Sequence, residues 1–89
     1  MKLIPATNGK HKWIAKFKDG TQTSFGAKGM DDYTITHDKQ QRERYRQRHK
    51  KDLATGDPKR AGFLSYHLLW GESTNLKKNK KEYERKFDV

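Results

Sequence analysis

The sequence predicts an α+β fold in one small domain: an N-terminal β-hairpin followed by two or three short helices. Three observations predict it. Residues 12–25 alternate in polarity around an Asp19-Gly20 turn. After His37 the spacing of apolar residues becomes helical, opening at Asp38. Asp57-Pro58 then starts an apolar run that Gly71 closes. A chain of 89 residues holds one domain and excludes a multidomain enzyme.

The hairpin spans 12–26, behind an N-terminal arm, 1–11. Lys12 to Lys18 reads as a half-buried strand and Thr21 to Phe25 as its return. Loop length sets the register. A two-residue turn pairs Ile14 with Phe25. A three-residue loop, Lys18-Asp19-Gly20 with Gly20 left-handed, pairs Trp13 with Phe25. The second places Trp13, Ala15, Phe17 and Phe25 on one face, and a single buried face favours it.

Residues 27–37 read as a loop with an extended piece at Tyr33-Thr34-Ile35. Gly26-Ala27-Lys28-Gly29 matches neither a P-loop nor a dinucleotide fingerprint, so these glycines are expected at backbone turns of positive φ. Asp31 and Asp32 point to opposite faces of an extended segment and read as a cap, a turn or ion pairs with the arginine helix.

The basic helix, 38–54, has Asp38 as N-cap, Gln41 completing a capping box, and Thr55-Gly56 as its end. Tyr45, His49 and Leu53 share its inward stripe, flanked by Arg42 and Arg46. Arg44, Arg48 and Lys51 lie opposite. The core helix, 57–70, is apolar nearly all round, which requires cover on most sides. The C-terminal basic helix, 74–87, is expected to be capped by Ser73 or Thr74. It carries a weak stripe of Leu76, Tyr83 and Phe87 beside Lys77, Lys78, Lys80 and Lys81.

The formal net charge is +10, and only 30% of the residues are hydrophobic. No cysteine is present, which removes disulfides, cysteine-ligated zinc and thiol catalysis. No apolar run approaches the ~18 residues of a membrane span, and Met1–Pro5 is too short for the apolar part of a signal peptide. Aromatic residues at 11% argue for a folded chain rather than a disordered basic tail.

Charge is the main functional signal. Lysine and arginine concentrate in residues 42–51 and 77–86, which suits phosphate binding. Arg42, Arg44, Arg46, Arg48, Lys50, Lys51, Lys77, Lys78, Lys80 and Lys81 are the expected contacts to an anion or nucleic acid. No base-reading signature accompanies them. The four histidines lie on separate segments without metal-ligand spacing, and His49 and His67 read as structural. No serine sits in a nucleophile elbow. The expectation is therefore no enzyme, no cofactor and no metal.

Ser24-Phe25-Gly26-Ala27-Lys28-Gly29-Met30-Asp31-Asp32-Tyr33-Thr34, Arg42 through His49, and Asp57-Pro58 through Gly71 together form a pattern. It resembles a family of small basic proteins encoded by large double-stranded DNA viruses of eukaryotes. The resemblance covers residues 24–71 and brings no catalytic residues with it. The chain differs from that family in having Tyr66-His67 before Leu68-Leu69-Trp70, where a basic residue and Trp are common. The resemblance implies a virion protein made in the cytoplasm or nucleus of the host cell. It joins the thinly covered core helix in predicting a minor capsid or cement protein. Such a protein would bridge larger capsid subunits through Trp70, Tyr83 and Phe87. The alternative is a non-sequence-specific nucleic-acid-binding or DNA-packaging protein. The two differ in their aromatic residues: a cement protein uses them at interfaces, a single-strand binder exposes them for stacking.

Overall fold

In the computed structural model, which describes residues 1–89, three antiparallel strands lead into a set of short helices. The strands are β1 (Lys2–Pro5), β2 (His11–Lys16) and β3 (Gln22–Ala27), in the order β1-β2-β3. The hairpin has the three-residue register, with Trp13 opposite Phe25. Phe17 N donates to Thr21 O at 2.9 Å, and Gly20 turns the loop at φ +89°. Ala15 and Phe25 are fully buried and Phe17 nearly so.

The N-terminal arm is a correction. Residues 2–5 form β1, with Leu3 opposite Ala15 and Ile4 opposite Ile14. Four residues are too few for alternation to announce a strand. Pairing with β2 makes this one, and Pro5 is tolerated because β1 is an edge.

The segment after β3 also departs from expectation. Gly26 takes φ +76°, and a Cβ there would lie 2.9 Å from Leu69 Cδ1, so glycine is required both by conformation and by the close approach of the core. Tyr33–Thr36 is a helical turn, α1, and not an extended piece. The Asp32 carboxylate caps it by accepting from Thr34 N at 2.9 Å and from the Thr34 hydroxyl. Its cation is Lys12 of β2, at 2.6 Å, rather than the arginine helix.

Helix α2 spans Lys39–Arg48 and passes through His49 into a 3-10 segment, Lys50–Thr55, which Gly56 ends. Half of the capping box forms. Asp38 accepts from Gln40 N and Gln41 N, while the Gln41 side chain instead accepts from the Thr36 hydroxyl.

The core helix begins at Ala61, not at Asp57. Asp57 Oδ1 accepts from Lys59 N at 2.9 Å, so Asp57-Pro58 makes a turn ahead of the helix. Helix α3 spans Ala61–Leu64 and continues as a π-helical turn, Ser65–Leu69, closed by a bond from Trp70 N to Ser65 O. Helix α4 spans Leu76–Phe87. Its cap is Asn75, whose side chain reaches Lys78 N, in place of Ser73 or Thr74. None of the helices is long and apolar enough to cross a membrane.

The sheet face, α1 and α4 enclose the core helix. Phe63, Leu64, Leu68, Leu69 and Trp70 join Ala15, Phe17, Phe25, Tyr33 and Tyr83 in one buried cluster. His67 lies among the rings of Phe63, Tyr66, Tyr83 and Phe87, with centroids 4.8–5.6 Å away. Burial foremost, then the charges of Arg46 and Lys86, push its pKa down to about 4. As pH falls, the unfolded chain takes up this proton first, near the ordinary 6.5. The stability from a neutral His67 is thus full above about pH 6.5 and is lost progressively toward pH 4. The expected loss is about 1–2 kcal/mol after solvent screening of a partly exposed ring. Urea titrations at pH 7.5 and pH 5 measure it. His67→Phe should remove this part of the acid sensitivity, and equal sensitivity in the variant refutes the assignment.

Candidate nucleic-acid interface

The ten expected anion contacts divide into two kinds. A helix leaves its last carbonyls without intrahelical partners. Around the end of the core helix these carbonyls are taken by side chains. Arg42 Nε donates to Gly71 O at 2.6 Å, and Arg46 Nη1 donates to Trp70 O at 2.7 Å. Asn79 Nδ2 donates to Leu68 O at 2.9 Å. The Arg46 guanidinium lies 4.3 Å over Tyr66, and that of Arg42 lies 5.6 Å over Tyr33. Arg42 also approaches Glu72 at 3.4 Å, and its side chain is only 16% exposed. These two arginines clamp α2 to the core helix and are withdrawn from the set that meets an outside anion.

Between them, Tyr45 stacks on Trp70 at 4.3 Å on one side and on His49 at 4.1 Å on the other. His49 Nδ1 is 3.2 Å from Asp52 Oδ2, which orients the outer ring. Burial, followed by the Asp52 charge, pushes the Tyr45 hydroxyl up to about 12. The inward stripe read from the sequence is thus present as a stacked column.

Of the remaining eight cations, seven are free and Lys80 is paired. Arg44, Arg48, Lys50 and Lys51 are exposed, as are Lys77, Lys78 and Lys81 on α4. None has a carboxylate oxygen within 4.0 Å. Lys80 is half-buried, 3.3 Å from Glu84. Arg46 of α2 and Lys78 and Lys86 of α4 line one cleft of about 380 Å³, together with Glu72 and Glu82. A long-range field from unpaired cations attracts polyanions without selecting sequence.

The expected protein-interface residues are largely consumed inside the chain. Trp70 is 6% exposed and Tyr83 is 2% exposed. The Tyr83 hydroxyl donates to Pro58 O. Phe87 is half-buried against Phe63 and Tyr83. The cover comes from the Tyr45 column over Trp70 and from the Phe63, His67 and Phe87 rings around Tyr83. The apolar pattern of residues 61–70 does not disclose the extent of that cover.

Two residues at this surface lie outside the set expected from the sequence. Lys2 and Trp13 line a groove of about 390 Å³ with Leu3, Leu76, Lys77, Lys80 and Lys81. Trp13 shares the register of the buried hairpin face, as expected, and packs against the core cluster, but opposite Pro5 of the edge strand it is only half-buried. The short run Lys2-Leu3-Ile4-Pro5 is the one signal for this groove in the sequence, and it carries meaning only beside β2.

Residues 1–49 match a family model described as a family of unknown function (DUF5754), a stretch that runs from β1 to the end of α2. No curated protein and no solved structure matches the chain.

Proposed function

The chain belongs to the family of unknown function DUF5754, and from that premise we propose that it is a non-enzymatic protein that binds nucleic acid without sequence specificity. The observation that carries this reading is the separation of its cations. Arg42 and Arg46 hold the fold, while Arg44, Arg48, Lys50, Lys51, Lys77, Lys78 and Lys81 stand in solvent without carboxylate partners. A patch of that kind neutralises phosphates and releases their counterions. The closure of the aromatic core within one chain supports this reading over a bridging role that would spend Trp70 and Tyr83 on a neighbour. The resemblance to small basic proteins of large DNA viruses supports a place in the virion, next to the packaged genome.

A titration of duplex DNA at 50–200 mM salt tests it. The log of the binding constant should fall linearly with log salt. Replacing Arg44, Arg48 and Lys51 by Gln should flatten the slope by up to about 0.9 for each phosphate that is no longer neutralised. Unchanged affinity and slope would refute the assignment of these residues.

The second reading is a capsid cement protein. It is favoured by two large apolar side chains in solvent, Met30 at 64% and Ile35 at 59% exposure. Mass spectrometry of virus particles separated into shell and nucleoprotein fractions distinguishes the two. The nucleic-acid reading predicts recovery with the nucleoprotein.

A further inference from the structure

Trp13 differs from the other aromatic residues near the surface. Tyr45 and Phe87 are also half-buried, but Tyr45 is sandwiched between Trp70 and His49, and Phe87 is packed on Phe63 and Tyr83. Trp13 has no aromatic ring stacked on it. It lines the groove between the edge strand β1 and α4, where Leu3 and Leu76 are its apolar neighbours. The rest of the lining is cationic: Lys2, Lys77, Lys80 and Lys81. Glu84 is the carboxylate paired to one of these, Lys80, at 3.3 Å. Lys2, Lys77 and Lys81 are exposed and unpaired.

An indole among unpaired lysines offers two things at once. Its π-surface stacks on any base, and the ammonium groups neutralise the phosphates on either side. A duplex keeps its bases stacked inside and cannot use the indole. A protein partner would have to be acidic and extended, and would leave the ring's stacking capacity unused. We infer that this groove takes single-stranded nucleic acid, with a base against Trp13 and phosphates on Lys2, Lys77 and Lys81. The inference rests on the nucleic-acid reading above and adds to it a strand preference and a base-stacking contact at Trp13, with Lys2 joining Lys77 and Lys81 of the set already named.

The test uses the full chain with oligo(dT), oligo(U) and a duplex of equal length. Oligo(dT) should quench tryptophan emission, and the quenched component should be missing in Trp13→Phe, which leaves Trp70 as the sole tryptophan. Trp13→Leu keeps apolar bulk beside Leu3 and Leu76 but removes the stacking surface. It should bind oligo(dT) and oligo(U) about tenfold more weakly and bind the duplex unchanged, which also reports that it is folded. Single-strand binding that leaves Trp13 emission unaltered overturns the inference. So does equal weakening of single-strand and duplex binding in Trp13→Leu. Salt-dependent duplex binding with no single-strand binding overturns the groove assignment while the broader reading stands. Binding to neither probe overturns both.

Discussion

Replacing Asn79 by Ala should lower stability by about 3 kcal/mol or more, the largest single effect expected from a polar residue in this chain. Its amide is 5% exposed and makes three bonds: it donates to Leu68 O at 2.9 Å and to Ser73 O at 2.7 Å, and accepts from Ser73 N at 3.1 Å. Alanine leaves these backbone groups in place and deprives them of partners; the buried Leu68 O left unsatisfied costs about 1–3 kcal/mol, and the part-buried Ser73 groups add to it. Gly71 allows this arrangement. A Cβ there would stand 2.1 Å from His67 O and 3.1 Å from the Asn79 side chain, so the turn out of the π-helical segment closes only around glycine. Urea unfolding monitored by circular dichroism measures the loss. Asn79→Asp should also destabilise at neutral pH, because a carboxylate would face two carbonyl oxygens. A cost under about 1 kcal/mol for Asn79→Ala would mean that water replaces the amide.

Arg46→Ala should cost about 2–3 kcal/mol, whereas Arg44→Ala should stay within about 0.5 kcal/mol of the parent. The two residues are neighbours in one basic run and are chemically identical. Arg46 loses a charge-assisted bond to Trp70 O at 2.7 Å and its place over Tyr66. Arg44 is exposed and loses nothing inside the protein. In a domain of this size the difference corresponds to a melting temperature roughly 10 °C lower for Arg46→Ala. Duplex binding should show the reverse order, with Arg44→Ala weakening it more once both variants are folded. Equal thermal stability of the two variants would refute the structural role of Arg46 and return it to the anion-binding set.

The features legible in the sequence are those whose partners lie a few residues away. The Lys18-Asp19-Gly20 loop determines the register that puts Trp13 opposite Phe25. Asp38 caps α2 through Gln40 N and Gln41 N, and Gly56 ends the 3-10 segment in a left-handed conformation. The apolar run from Phe63 to Trp70 marks the centre of the core whatever surrounds it. Such signals survive in one dimension because both ends of each hydrogen bond fall within a turn.

What surrounds that run only the tertiary structure decided. Arg42 reaches a carbonyl 29 residues away and Arg46 one 24 residues away, so nothing local separates them from Arg44 and Arg48. β1 becomes a strand only by pairing with β2, and that pairing converts Lys2 from part of an arm into one wall of a groove. The two tryptophans exchange their expected roles for the same reason. Trp70 is covered by Tyr45, from another helix, while Trp13 is left half-buried between an edge strand and α4. The number and type of the cations belong to the sequence. Which of them hold the fold, and which remain free for phosphate, depends on carbonyls and rings brought close by folding.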